Sequence, residues 1–514
     1  MGNIIQVCLR DTPALLLLRL RHRLQLQLRC RCAASAAESD PIKGVFDGNS
    51  IGESVRSLSD QCTGRWPVHF FGKSLVVLAA LIAAVPSAAS AAAAAPQVHL
   101  QPLVSQTIDD FYRGRNNYPL WFAPQASGAP EQLIALLDSA SIDGLDPSKY
   151  HVADLRQALE IARSGKRKLV QQADRMFSAA FVAYVDDLRQ DPGVGLTYVD
   201  AGLKPKPPTP LAALLTAASA PSLSEYVHSM GWMHPIYVQL REALANHAYS
   251  TEQQQSTLEL NLKRARVLPA GNQRYILVNA AQQRLYMYEN RKAVDSMVVV
   301  VGKPKWPTPM MAAYIRYAAL NPYWYVPSDL AGEDVGQYVL KYGLKYLDEY
   351  GYQIVSDWTP NPTIIDPKTV DWKGVVDGKV DDIMIRQKPG PKNFMGRMKF
   401  MFPNQFGVYL HDNPRRELFE KASRYFSGGC VRLEDAARLG RWLFGHDLDW
   451  QDAGTEEPVM LASPVPVYIT YLTAMPDGGS IAYFDDVYGR DAQKLAGGSP
   501  TSLGTSVAAS SGNK

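Results

Sequence analysis

The pattern of apolar residues changes near Arg274, and that change confines the chain to folds that keep helices and strands in separate blocks. From residue 100 to 265 apolar positions recur at helical spacing. Leu133, Leu136 and Leu137 form one stripe. Ala173, Met176, Ala180, Tyr184 and Leu188 form another, in a long helix predicted from Leu169 to the Pro192-Gly193 break. Tyr237, Leu240 and Leu244 mark a further helix, and Leu258, Leu262 and Ala265 one more. After Arg274 the runs become short and β-rich: 275–279, 285–288, 297–301, 314–320, 400–410, 465–472 and 481–484. Glu289-Asn290-Arg291 reads as a hairpin turn. The fold class is therefore α+β, with a helical scaffold domain over 100–265 and a mostly β domain over 272–491. Residues 328–385 are less regular and rich in Gly, Asp and Tyr; such an insertion in a β domain predicts a lid or binding loop. The Ser/Gly/Ala-rich tail, 496–514, is expected to be disordered.

An export signal is expected inside the chain. Lys73 precedes an apolar core over 75–85, then comes Pro86, then small residues over 87–95 that offer Ala-x-Ala cleavage options. Residues 68–95 thus read as a signal peptide whose core is too short to anchor the mature protein in a bilayer. Residues 1–67 read as a mis-extended start or a cytoplasmic extension. No Met lies between Met1 and Met176, so the first option needs a non-ATG start, with Val68 a candidate. Cleavage near Ala95 would remove Cys8, Cys30, Cys32 and Cys62 and leave Cys430 as a lone thiol. An odd cysteine in an exported protein is either reactive or a small buried hydrophobe. The formal net charge of +3 gives no reason to expect nucleic-acid binding.

The chemistry-bearing stretch is Val408-Tyr-Leu-His411-Asp-Asn-Pro414, followed by Ser427-Gly-Gly-Cys430-Val-Arg432. Residues 408–410 read as a strand end, Ser427-Gly428-Gly429 as a tight turn, and 434–444 as a helix with Glu434 and Asp435 at its positive end. Acyl transfer through sulfur needs a thiol, a base in reach and backbone N–H groups beside them. Cys430 and His411 supply the first two. The N–H groups of Gly429 and Cys430 could face a developing oxyanion, and glycines there permit φ > 0. Arg432 and the basic run Arg386, Lys388, Lys392, Arg397, Lys399, Arg415 and Arg416 would lower the thiol pKa and attract carboxylates where they face the cleft; singly, most of the run fits a solvated face. His446 reads as a residue of a helix C-cap loop. His151, His228, His234 and His247 have no metal-ligand spacing. Ser-x-x-Lys occurs only at Ser511–Lys514, and no His-Glu-x-x-His, paired-Cys or P-loop pattern exists, so serine acyl-enzyme, zinc and nucleotide chemistries are not supported.

At these residues the chain resembles the L,D-transpeptidases with a YkuD-type catalytic domain. Their pattern is His, some fifteen residues, then Ser/Thr-x-Gly-Cys; fifteen residues separate His411 from Ser427. Gly428, where many members have His, is similar to the large Gram-negative, YcbB-like branch. So are Asn321-Pro-Tyr-Trp-Tyr-Val-Pro327, Ile385-Arg-Gln-Lys-Pro-Gly-Pro-Lys-Asn393, Gly396-Arg-Met-Lys-Phe-Met-Phe-Pro-Asn404 and Asp485-Asp-Val-Tyr-Gly-Arg-Asp491. Weaker likeness extends to Phe111-Tyr112, Leu120-Trp121 and the run from Asp143 to Tyr150. Many members carry a peptidoglycan-binding repeat before the Leu258 helix, and the interval here leaves no room for it. Substrate targeting then rests on the catalytic domain, its insertion or a partner protein of cell-wall synthesis.

The resemblance implies cell-wall cross-linking in the periplasm, without metal or cofactor. Cys430 attacks the carbonyl of the third residue of a peptidoglycan tetrapeptide stem, usually diaminopimelate, and D-Ala leaves. The side-chain amine of a second diaminopimelate then takes the acyl group. His411 is the base, and a backbone carbonyl would serve to orient it. Gly429, Cys430 and Tyr409 hold the oxyanion, Ser427 belongs to the substrate loop, and Arg432 orients that loop or a substrate carboxylate. The 328–385 insertion excludes water. With water as acceptor the same thioester makes an L,D-carboxypeptidase or hydrolase. A catalytically inactive, wall-binding scaffold is the alternative of another class; the joint presence of His411, Cys430 and Arg432 argues against it.

Overall fold

The computed structural model describes residues 102–359, 361–450 and 455–497 of the 514. The expectations for residues 1–67 and 68–95, and for the tail beyond residue 497, lie outside the described residues.

The N-terminal part is helical: α1 (Pro102–Gly114), α2 (Ala129–Asp138), α3 (Val152–Ala162), α4 (Arg167–Arg189), α5 (Pro210–Ser219), α6 (Leu223–His228), α7 (Pro235–Ala245) and α8 (Glu252–Ala265). The long helix, α4, buries the predicted stripe of Ala173, Met176, Ala180, Tyr184 and Leu188. Thr209, Ser222 and Thr251 cap α5, α6 and α8 through their hydroxyls. A short strand, β1 (Thr197–Tyr198), leaves this layer to pair with the β domain.

The β domain begins with β2 (Tyr275–Asn279), β3 (Arg284–Glu289), β4 (Lys292–Gly302) and β5 (Met311–Leu320). The β3–β4 turn has Asn290 and Arg291 at φ 50° and 65°. That is the primed two-residue hairpin expected between twisted strands. Arg291 is held there by the carbonyls of Gly231, Ala270 and Met233, which ties the hairpin to the helical layer.

The insertion follows, with β6 (Trp324–Val326), α9 (Gln337–Tyr342), α10 (Lys345–Tyr350), β7 (Tyr352–Val355), β8 (Ile364–Ile365), α11 (Trp372–Val376) and β9 (Ile385–Gln387). It folds as a four-stranded sheet in the order β6-β9-β7-β8 with its own apolar core around Val335, Tyr346, Ile354 and Ile385. The predicted irregular loop is thus a small folded unit.

The chain returns through β10 (Met398–Met401), β11 (Leu410–His411), β12 (Tyr425–Ser427), β13 (Val431–Leu433), α12 (Ala436–Phe444), β14 (Glu457–Thr470), β15 (Ala474–Asp477), β16 (Ser480–Tyr483) and α13 (Arg490–Leu495). The sequence β5-β10-β11-β13-β4-β3-β2-β14, with β14 also paired to β5, closes an eight-stranded barrel. The predicted strand over 400–410 is two short strands instead. Pro403 cannot donate to a ladder, and Asn404 replaces ladder bonds with its own side chain, donating to Phe402 O and Val408 O and accepting from Phe406 and Val408 N–H.

A buried ion pair joins α8 to the C-terminal end of the barrel. Arg264 reaches Asp491 at 2.6 Å and Tyr471 O at 2.9 Å, and Thr473 donates to the second Asp491 oxygen. Asp491→Ala would strand the Arg264 charge in a site where the guanidinium is 4% exposed. The expected loss is about 3–5 kcal/mol, read as a fall in the urea unfolding midpoint. A change under about 1 kcal/mol would show that solvent reaches Arg264 freely.

Candidate active site

Strand register builds the site. Phe400, Leu410 and Val431 stand opposite one another across β10, β11 and β13, and all three are buried in the barrel. Side chains alternate along a strand, so the adjoining row of Lys399, His411 and Arg432 points the other way, out of the barrel. Tyr409 and Cys430 share that outer face one alternation back, where Val431 N–H donates to Tyr409 O at 3.0 Å. Cys430, the residue before β13, and His411 on β11 are therefore diagonal neighbours, roughly 7–8 Å apart at the backbone. Both line a cleft of about 1110 Å³ whose opposite wall is the insertion, through Leu330, Asp334, Tyr338, Tyr342 and Tyr346.

The cysteine loop is shaped by hydroxyls. Ser427 Oγ donates to Cys430 O at 2.6 Å and accepts from Gly429 N–H at 3.1 Å. Gly429 sits at φ 115°, and its carbonyl accepts from Thr308 Oγ1 at 2.8 Å. Thr308 in turn accepts from Gly302 N–H at 2.9 Å. A Cβ on Gly302 would lie 2.0 Å from Trp306 O and 3.1 Å from Gly429 Cα, so only glycine lets the end of β4 pass under the loop. Tyr488 donates to Gly302 O at 2.6 Å, and Arg490 to Thr308 O at 2.8 Å. Ser427 thus acts within the loop, and the Gly429 amide expected to face an oxyanion is already donating to Ser427.

His411 is buried, with Nδ1 2.6 Å from Asp412 O. A carbonyl can only accept, so Nδ1 carries the proton and Nε2 is left as the acceptor. Burial pushes the imidazole pKa down to about 3, and Arg432 and Lys399, flanking it in the row, push the same way; the Asp412 and Met395 carbonyls oppose them. Cys430 is half-buried, and its thiol contacts Gly407 O at 3.6 Å. Burial pushes the thiol pKa up, against the opposing pull of the Tyr409 N–H and the Arg432 and Lys399 charges. The expected pull of the cations is present from Arg432 and Lys399, but desolvation outweighs it and the net direction is upward. Most of the rest of the run is paired or exposed, as a solvated face would be. Arg386 bonds Gln353, Lys392 pairs with Glu349, Arg415 with Glu417 and Arg416 with Asp412, while Arg397 lies over Trp450 and Lys388 is exposed. Lys399 itself is buried against Glu456 at 3.0 Å. At neutral pH the resting pair is a thiol and a neutral imidazole.

The insertion is fastened over this loop. Glu333 pairs with Lys305 and, at 3.7 Å, with Lys303. A Cβ at Gly428 would lie 3.0 Å from Leu330, so the insertion touches the cysteine turn. Burial raises the Tyr409 phenol to about 12, with the neighbouring Cys430 adding to the shift. Among the described residues no cluster of three or more His, Cys, Asp or Glu side chains could hold a metal ion. Nor is any helix there long and apolar enough to cross a membrane. Thr308, Leu330 and Glu333 were not singled out by sequence, and nothing local marks them. Tyr488 and Arg490 lie in the Asp485–Asp491 run that carried part of the resemblance.

A helical scaffold followed by an eight-stranded barrel, with a thiol and an imidazole lining a cleft under an inserted subdomain, defines an α+β protein. Residues 273–467 match the L,D-transpeptidase catalytic domain (YkuD) and residues 106–244 the scaffold domain, so the chain carries an L,D-transpeptidase catalytic domain behind a scaffold domain. It is 29% identical over 291 residues to a Haemophilus influenzae protein named "Putative L,D-transpeptidase", covering 54% of this chain and 57% of that one. The chain thus spans just over half the length of this curated relative. Among solved structures it is similar to an L,D-transpeptidase from Mycobacterium smegmatis at 14% identity, covering 38% of this chain and 58% of that one, with a TM-score of 0.19. The Ldtfm-avibactam carbamoyl enzyme matches at 13% identity, 47% and 86% coverage and a TM-score of 0.19.

The pKa directions have a direct readout. Alkylation of Cys430 by iodoacetamide, followed against pH by intact mass, is expected to have its midpoint above the ordinary thiol value of about 8.5. Arg432→Gln should move it higher, because the cation that favours the thiolate is gone. A wild-type midpoint below the ordinary value would overturn the burial argument.

Proposed function

We propose that the chain cross-links peptidoglycan stems in the periplasm through a thioester on Cys430. The observation that carries this reading is that Cys430 and His411 line one cleft beside the paired strands β11 and β13, inside a domain that matches the L,D-transpeptidase catalytic domain. Cys430 Sγ attacks the carbonyl carbon of the third stem residue as its proton passes to His411 Nε2. The tetrahedral intermediate collapses, the C–N bond to D-Ala breaks, and His411 returns the proton to the departing amine. An acceptor amine then attacks the thioester, its proton passes through His411, and the sulfur leaves as the thiol.

A neutral resting pair suits this sequence, since the imidazole begins as an acceptor and the thiol gives up its proton only on attack. The oxyanion falls to the Cys430 N–H with Tyr409 beside it, because the Gly429 amide is spent on Ser427. Arg432 Nε is buried without a hydrogen-bond partner, which supports the binding of a substrate carboxylate at that edge. The insertion over the cleft supports transfer to an amine over hydrolysis, since it limits water at the thioester.

Incubation with muropeptides bearing tetrapeptide stems is the test. Cross-linked dimers and released D-Ala are expected by mass spectrometry; monomeric tripeptide alone would make the protein a carboxypeptidase. His411→Gln should lower kcat by about 10²–10⁴-fold, and Cys430→Ala should form no covalent adduct. Dimer formation by Cys430→Ala would overturn the mechanism.

A further inference from the structure

The lid carries an aromatic feature that the reaction at Cys430 does not use. Tyr338, Tyr342, Tyr346 and Tyr350 recur every fourth residue along α9 and α10, and all four line the cleft that holds Cys430 and His411. Tyr338 and Tyr346 are near-parallel, at 19° with centroids 5.2 Å apart, and Tyr338 and Tyr342 lie at 8° and 6.2 Å. At its inner end the stripe is core: Tyr346 is 7% exposed and packs on Tyr350 and Tyr352. At its outer end it is open, with Tyr338 43% and Tyr342 47% exposed. Packing within the lid accounts for the buried rings and not for the exposed pair, and adjoining exposed apolar surface marks a contact site.

We propose that this stripe is a binding surface for the sugar rings of a glycan strand, continuous with the cleft that takes the peptide stem. The inference rests on the reading of the site as peptidoglycan-acting and adds a substrate feature to it. A pyranose ring has a flat face of C–H groups and a rim of hydroxyls. Such a face lies on a tyrosine ring, which is broad, rigid and cheap to order, while the rim needs polar partners. Lys345, Glu349 and Lys392 line the same cleft, the last two paired at 2.9 Å, and supply donors and acceptors at that border. The cleft, at about 1110 Å³, exceeds the roughly 300–1,000 Å³ typical of a site for one small ligand, so a stem at Cys430 leaves space along the stripe. Leu330 rests on the cysteine turn and α9 begins seven residues later, so the stripe borders the same cleft as the sulfur.

Two measurements on the full chain test this, with Tyr338→Ala/Tyr342→Ala as the variant. In the first, soluble glycan strands stripped of their peptide stems are titrated against protein by calorimetry. Wild type should bind and the double variant should bind roughly tenfold more weakly or worse; Tyr338→Phe/Tyr342→Phe should retain binding. No binding by wild type, or equal binding by the alanine variant, overturns the proposal whatever the catalytic result. In the second, acylation of Cys430 is followed with a free tetrapeptide and with stems still attached to glycan. The alanine variant should raise KM for the glycan-linked donor by a similar factor and leave the free peptide unchanged; an equal rise for both would make the tyrosines lid structure only. Failure of wild type to be acylated by either donor would instead defeat the transpeptidase reading, which the binding measurement does not depend on.

Discussion

The pairing of β11 with β13 is the constraint on which the site depends. Leu410 faces Val431 and His411 faces Arg432 in parallel register. A slip of one residue would turn every side chain on one strand to the other face. His411 would enter the barrel core, and Leu410 would sit beside the thiol. The register is held by Leu410, Val431 and Leu433, all fully buried in the apolar interior. The chemistry on the outer face is thus specified by hydrophobic burial on the inner one. β11 is only two residues long, and its position is secured by the barrel around it, since β10 and β13 pair with it on either side.

The same geometry explains the electrostatics. Adjacent strands lie about 4.8 Å apart, so a row of Lys399, His411 and Arg432 sets an imidazole between two cations. Protonating that imidazole would add a third positive charge in a poorly solvated place, and the ring stays neutral. The cations also favour a thiolate at Cys430, yet burial acts more strongly there. One local environment therefore holds both partners uncharged, with Nδ1 tied to Asp412 O.

Sequence carried the local parts of this structure and missed the distant ones. The hairpin turn at Asn290 and Arg291, the long helix α4 and the acidic start of α12 follow from nearest-neighbour chemistry and were legible, while the primed geometry of the turn and the cap at Asp435 came from the structure. Cys430 and His411 stood out because few residue types can do acyl transfer. Closure of the barrel through β14 and β5 joins residues more than a hundred positions apart, and no local pattern encodes it. Thr308 looks like any strand-edge threonine until the fold brings Gly302 and Gly429 to its two sides. The direction of the thiol pKa could not be read either, because counting nearby Arg and Lys residues says nothing about which of them are already paired or how much water has been removed.

The cysteine turn is over-determined, and that bears on how the cleft can work. Its hydrogen bonds come from Ser427 within the turn, from Lys303 N–H to Ser427 O and from Thr308 to Gly429 O, while Tyr488 and Arg490 in turn hold Gly302 and Thr308. In the proposed reaction a thiol held this way does not reorganise as it attacks, so the free energy of binding can go into orienting the substrate. The lid is attached differently. It meets the turn through Leu330 against Gly428 and through the Glu333 pairs with Lys303 and Lys305, whose ammonium groups are 38% and 64% exposed at the side chain. Exposed ion pairs of this kind contribute little and weaken with salt. The turn that carries the sulfur is thus held by internal hydrogen bonds, and the insertion meets it through an apolar contact and exposed ion pairs. The insertion has its own apolar core, so if the proposed reaction holds, donor and acceptor would enter between a wall with its own core and a turn fixed by its own hydrogen bonds.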